Sequence, residues 1–218
     1  MPKPKSETKA STLEDYLKKL EQNKDCPYYV PDTAVGKEEN IKILFILESP
    51  HKEEVKAKKP LMGISGENVN IFFDRKKTPF GKETKFLDDN HIGLANVSNI
   101  PLQIIGENKD ATEKIELELK KLRENKKTNE TLSKFFCSKI KKYKHVTTFV
   151  LCGLFVERYF DEYVFKQNNK SNILKKIYKG EVEILKVPHP SYGHWQFIDK
   201  HKNNLERLKE IFSELQKK

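Results

Sequence analysis

The sequence predicts an α/β protein, a three-layer αβα sandwich around a central, mostly parallel sheet of four strands. Three observations carry this. Four short runs rich in β-branched, aliphatic and aromatic residues each stop at a turn signal: "IKILFILESP" (41–50), "HIGLANVSNIPL" (91–102), "HVTTFVLCG" (145–153) and "VEILKVPHP" (182–190). Stretches with helical spacing separate them. The runs are also continuous rather than alternating, the pattern of strands covered by helices on both faces.

Taken in order, residues 1–11, mostly Lys, Pro, Ser and Thr, are a predicted disordered basic lead, and 12–218 a single domain. "STLEDYLKKLEQ" opens on Ser and Thr and spaces Leu13, Tyr16, Leu17 and Leu20 as a helix. The first strand follows and ends at Pro50. "SGENVNIFFDR" is the next helix. "ATEKIELELKKLRENKK" and "ETLSKFFCSKIKKY" lie between strands two and three, and "LFVERYFDEYVF" follows strand three. In "NNLERLKEIFSELQ", Leu205, Leu208, Ile211, Phe212 and Leu215 form one apolar stripe. The Lys- and Asn-rich residues 106–130 and 166–180 are expected to hold the more mobile loops. No internal repeat is present.

The 218 residues are 36% hydrophobic and 34% charged, and Lys and Arg exceed Asp and Glu by 42 − 32 = +10. That excess favours a polyanionic partner, although charge speaks to association and not to fold. No run approaches the length of a membrane span and the N-terminus has no apolar signal core, so a soluble, cytoplasmic protein is expected. Cys26, Cys137 and Cys152 are odd in number and far apart with no CxxC pair, which supports neither a disulfide framework nor a four-cysteine metal site.

Ligands of doubly wound sheets bind beyond the carboxyl ends of the strands. Those ends carry Glu48-Ser49-Pro50-His51, Asn96-Val97-Ser98-Asn99, Cys152-Gly153 and His189-Pro190-Ser191. A carboxylate, an amide and an imidazole would meet at one rim. Pro188 and Pro190 stiffen the backbone that presents His189.

These stretches resemble the uracil-DNA glycosylase superfamily, specifically its iron–sulfur branch. "LESPHKEEVKAKKPLMGISGENV" keeps Glu48, Pro50, Glu54, Pro60, Gly63 and Gly66 in step with the Gly-Glu-Ala-Pro-Gly and Pro-Phe-Val-Gly-x-Ala-Gly motifs. "IGLANVSNIP" is similar to the strand that delivers the uracil-reading asparagine, which falls on Asn96. "FVLCGLFVERYF" and "VPHPSYGHW" match the strand-Gly-helix and His-Pro-Ser segments, in the right order over about residues 26–215. Three departures are visible. The cluster cysteines are missing apart from Cys26 near the first position, so no iron–sulfur cluster, other metal or nucleotide cofactor is expected. Leu61 replaces the phenylalanine that stacks under uracil. His51 stands where the family has glycine or tyrosine.

The resemblance implies a DNA N-glycosylase, a monomer that acts on uracil or a related altered pyrimidine flipped out of single- or double-stranded DNA. Cleaving an N-glycosidic bond puts positive charge on the sugar and negative charge on the departing base. His189 is the expected donor to the base oxygen. Glu48 is expected to orient water or stabilise the cationic sugar. Ser49, His51, Glu54, Leu61 and Asn96 would line the base, with Asn96 donating to O4 and accepting from N3–H; Glu54 falls in a lysine-rich stretch read as a loop, where solvation is the alternative. Lys58, Lys59, Ser191, Tyr192, His194 and Trp195 would contact DNA, the aromatic residues filling the gap left by the flipped base. Lys52, Lys56, Arg75, Lys76 and Lys77 are placed for phosphates. The alternatives are a glycosylase retuned to another base, such as a modified cytosine in defence against foreign DNA, and a non-catalytic DNA-binding module on the same fold.

Overall fold

The computed structural model describes residues 29–34, 36–99, 101, 126–164, 176, 179–191, 195, 201–215 and 217, the backbone alone at 126–132 and 163. The lead at 1–11, the helix predicted over 11–22 and most of that over 111–127 lie outside these residues. In chain order the elements are β1 (Ile43–Leu47), α1 (Lys52–Ala57), α2 (Ile64–Phe72), α3 (Thr84–Asp89), β2 (Ile92–Asn96), α4 (Lys126–Ile140), β3 (Thr148–Cys152), α5 (Leu154–Tyr159), β4 (Glu183–Val187) and α6 (Lys202–Leu215).

The strands form one parallel sheet in the order β2-β1-β3-β4. Ile43–Leu47 pair with Ile92–Asn96 on one side, and Ile43–Ile46 with Thr148–Leu151 on the other. The chain therefore winds outward from β1 in both directions, which opens a crevice at the carboxyl ends of β1 and β3. Every residue of β1, β2 and β3 is buried. Their side chains alternate between two cores. Leu44, Ile46, Phe149 and Leu151 pack against Phe136 and Ile140 of α4 and Val156 and Tyr159 of α5. Ile43, Phe45, Leu47 and Val150 pack against Val69 and Phe72 of α2, Leu87 of α3 and Leu205, Leu208 and Phe212 of α6. The three layers are those the continuous apolar runs predict.

Several elements depart from the sequence reading. Residues 52–57, read as part of a lysine-rich loop, form α1. Its two lysines, Lys52 and Lys56, project into solvent or its margins, while Glu54 turns inward. The second strand stops at Asn96; Val97 and Ser98 then donate to the carbonyls of Leu47 and Glu48, at 2.8 and 3.1 Å. Residues 126–130, placed among the mobile loops, are the first turns of α4. After Tyr159 the helix predicted to run on continues as a π-helical turn, Phe160–Val164, in which Phe160 and Val164 are both buried. Cys137 and Cys152 are buried, free thiols, and burial pushes Cys137 up to about 11. Neither serves as a nucleophile near neutral pH.

Phe212 closes the core under α6. Its ring stacks on Phe73 at 3.6 Å between centroids and meets Phe45 edge-on at 6.1 Å. Phe212→Ala is expected to destabilise the fold by about 3–5 kcal/mol. Chemical denaturation measures this, and a loss below about 1 kcal/mol would mean that the aromatic cluster repacks around the cavity.

Candidate active site

A cleft of about 830 Å³ opens beyond the carboxyl ends of β1, β3 and β4. Glu48 and Ser49 reach it from β1, Gly153 from β3, and Pro188, His189 and Ser191 from β4. His51 at the head of α1 and Leu61 in the following loop complete the near wall. Seven residues singled out in the sequence, Glu48, Ser49, His51, Lys52, Glu54, Leu61 and Ser191, thus share one cavity with His189.

His189 is held from several directions. The N–H of Ser191 donates to its Nδ1 at 3.2 Å, and the Ser191 hydroxyl lies 2.7 Å from the same nitrogen. A backbone N–H can only donate, so Nδ1 accepts, and the neutral ring carries its proton on Nε2. Asn68 of α2 anchors the next residue by donating to the Pro190 carbonyl at 2.7 Å. Gly153 makes room for the ring. Its φ is +96°, and a Cβ there would lie 3.1 Å from His189 Cβ. Burial lowers the imidazole pKa below its ordinary 6.5; Glu48 pulls it upward and His51 adds to the lowering. The ring is therefore neutral at pH 7. Ser191, expected to contact DNA, is here the residue that sets the histidine tautomer.

Glu54 has a clear structural task. Its buried carboxylate accepts from the N–H of His51 at 2.6 Å and of Leu61 at 2.5 Å. One side chain thus staples both ends of α1 to each other and sets the spacing of two cleft residues. Burial raises its pKa, and the two backbone hydrogen bonds oppose that rise. Leu61 itself sits at φ +53°, a left-handed backbone that costs a leucine about 1–2 kcal/mol. Its carbonyl accepts from Gly81 N–H at 3.0 Å, and a Cβ on Gly66 would come 1.9 Å from that oxygen. Gly66 is glycine because the Leu61 turn occupies the space.

Asn96 does not line the cleft. It is 0% exposed, on the same sheet face as its register partner Leu47, and both atoms of its amide are buried without a partner among the described residues. Its backbone, by contrast, is clamped. Asp32 accepts from its N–H at 3.3 Å, and the Lys139 ammonium donates to its carbonyl. Lys139 also donates to Asn99 Oδ1 at 2.9 Å and Asp32 Oδ1 at 3.3 Å. β2 is an edge strand, and residues 30–33 cover its outer side: Thr33 N–H donates to the Leu94 carbonyl, and Leu94 N–H to the Thr33 hydroxyl. Burial lowers the Lys139 pKa, against which Asp32 acts. The sequence held one signal for this, a lysine set among Phe136 and Ile140 on the apolar face of α4 and four residues before Tyr143.

Trp195 corrects the reading of the loop after His189. It is 2% exposed and packs edge-on against Phe72 at 5.2 Å, so it belongs to the core under α2 and not to a DNA-facing wedge. An indole buries more apolar area than any other side chain in that loop, and the α2 face supplies the aromatic partner. Tyr192 and His194 lie outside the described residues. Lys58 and Lys59 are exposed but outside the cleft lining; Lys58 donates to the Tyr29 carbonyl at 3.1 Å, and Lys59 lies 3.4 Å from the Thr84 hydroxyl. Arg75 is not a free phosphate ligand: it pairs with Glu83 at 3.0 Å and stacks over Phe86 at 3.9 Å.

A second acid–imidazole pair lines the far wall and has no motif in the sequence. His201 Nδ1 lies 3.0 Å from the Lys186 carbonyl, to which it donates, and its Nε2 lies 4.0 Å from Glu157 Oε1. Only tertiary structure joins them, because Glu157 comes from α5 and His201 from the head of α6.

No protein-family model matches this chain, and no curated protein matches it.

The Lys139–Asp32 pair makes a prediction about stability. Lys139→Met leaves Asp32 buried and uncompensated, and is expected to cost about 3–5 kcal/mol. Adding Asp32→Asn to Lys139→Met should recover much of that loss in urea denaturation. A double variant no more stable than the single one would show that the clamp acts through packing and not charge.

Proposed function

We propose that this chain is a DNA N-glycosylase that releases uracil or a related altered pyrimidine. The observation that carries the reading is the hydrogen bonding of His189 at the cleft: its Nδ1 accepts from the Ser191 N–H, which leaves the ring proton on Nε2, and burial lowers the ring pKa. Such a ring is a preset donor for a base oxygen that gains negative charge as the glycosidic bond breaks. A donor of this kind contributes about 3–4 kcal/mol to the transition state without reorganising during the reaction. Glu48 lies in the same cleft, close enough to raise the His189 pKa. Its carboxylate suits a cationic sugar or its attacking water.

The sequence resemblance to the uracil-DNA glycosylase superfamily supports the same assignment, since its Glu48 and His189 motifs converge on this cleft. The positive charge of the chain suits DNA as substrate. Among the described residues no helix is long and apolar enough to cross a membrane. Asn96 reads the base in this scheme only if the cleft wall shifts to uncover its amide. Among the described residues that amide has no partner to give up, which favours such a role. A glycosylase tuned to a different altered pyrimidine is the second reading. His51 at the cleft and Leu61 in place of an aromatic floor favour it.

The direct test is mass spectrometry of bases released from DNAs carrying uracil and a panel of modified pyrimidines; a panel with no release would refute the proposal. His189→Ala is expected to slow release about a hundredfold or more while DNA binding stays nearly unchanged. Parallel loss of binding and turnover would make His189 structural.

The pH dependence follows from the tautomer. Protonation would put a second N–H at Nδ1, facing the Ser191 N–H, and break the anchor of the ring. Since the folded pKa is depressed, kcat/KM should hold constant as pH falls from 7.5 and decline only below the ordinary histidine value of about 6.5. The sign for stability is the same: the contribution is present above the unfolded value and lost as pH falls through the folded one. An acid limb centred above pH 6.5 would contradict the depressed pKa.

A further inference from the structure

With Trp195 in the core, the described part of the His189 loop offers no apolar side chain to fill the gap that a flipped nucleotide leaves. Large apolar side chains are exposed at three described positions, Ile64, Ile71 and Leu154, and two of these line the cleft. Ile64 is 70% exposed and Leu154 54%. Each is the first residue of its helix, directly after a glycine at the cleft, Gly63 or Gly153. The two helices lie on opposite faces of the sheet, since α2 packs into one core and α5 into the other. Ile64 and Leu154 therefore flank the cleft from its two sides, with His189 in the same lining.

Single exposed aliphatic side chains are common and need no explanation. A pair on opposite walls of one cleft is different, because a substrate entering the cleft covers both. Lys52 lines the same cavity and the chain carries a +10 excess of basic residues, so the covering surface is anionic outside and apolar within. Duplex DNA opened at one base pair has that character: phosphates at its edge, and unstacked base faces where a nucleotide has left. We propose that Ile64 and Leu154 are the apolar lips that enter the duplex on either side of the extruded nucleotide, and that duplex DNA is the substrate form. This rests on the glycosylase reading for its occupant. Two aliphatic side chains pressed on the flanking bases replace the stacking lost on extrusion. On a single strand no partner stack needs replacing, and the lips contribute little.

The test uses the full chain and a uracil-containing duplex with 2-aminopurine beside the uracil, whose fluorescence rises when stacking is lost. The wild type should raise the signal at saturation, and the Ile64→Ser, Leu154→Ser double variant should cut that rise by about fivefold or more. Both substitutions are at exposed positions, so unchanged thermal unfolding is the control for folding. Base release from duplex should fall about tenfold in the double variant, and release from the same single strand less than about twofold. An undiminished fluorescence rise in the double variant overturns the proposal. So does equal loss on duplex and single strand, or no rise with wild type. The two claims separate in one experiment: a lip-dependent rise without base release removes the glycosylase and keeps the lips, and release without a rise does the reverse.

Discussion

Burial of β1, β2 and β3 on both faces is the constraint on which the rest of this structure depends. Every backbone N–H and C=O of such a strand must be met by a neighbouring strand or, on the outer side of β2, by the covering segment 30–33, and every side chain must pack against a helix. That leaves no room for reactive polar groups along the sheet. They can stand only where strands end. Winding outward from β1 in both directions then leaves the carboxyl ends of β1 and β3 side by side with no connection across them. Glu48, Gly153 and His189 meet there because the topology leaves that place open.

Around this opening the chain takes several polar groups indoors, each with a different degree of satisfaction. The Glu54 carboxylate is satisfied by two backbone donors and holds His51 and Leu61 in register. The Lys139 ammonium is satisfied by Asn96, Asn99 and Asp32 and closes the exposed edge of β2. The Asn96 amide has no partner among the described residues. A buried unpaired amide costs on the order of 1–3 kcal/mol for each unmade hydrogen bond, and the clamp on its backbone prevents it from turning elsewhere to recover that energy. Among the described residues that cost stands uncompensated at the carboxyl end of β2. Leu61, in a left-handed backbone fixed by Glu54 and Gly81, shows the same economy in backbone form.

The imidazole at the centre of the cleft gets its chemistry from neighbours that are individually ordinary. A serine N–H two residues along selects the tautomer, a glycine from another strand admits the ring, and partial burial keeps it neutral. None of these acts on a substrate. Together they turn a histidine that would ionise near its ordinary pKa into a fixed neutral donor. The second pair, Glu157 and His201, shows that the far wall of the cavity is also polar, built from helices that have no motif to announce them.

The sequence by itself determined the strands, their order along the chain and their burial, because long apolar runs between helical stretches admit few other packings. It also determined which residues stand at the strand ends, since Pro50, Gly153 and Pro188 stop the runs where they do. Glu48, Ser49, His51 and His189 were legible as one rim on that basis, and Leu61 only through the family resemblance. Tertiary structure alone decided the rest. Whether Trp195 faces solvent or core depends on the aromatic surface of α2, 122 or more residues earlier, as the Asn68–Pro190 hydrogen bond between the same two segments shows. Whether Glu54 is solvated or buried depends on α1, whose lysine-rich sequence reads as loop until Glu54 is seen to accept from both of its flanks. Pairings such as Lys139 with Asp32, or Glu157 with His201, leave no local trace, because charge and spacing along a chain do not encode which distant group completes a buried hydrogen bond.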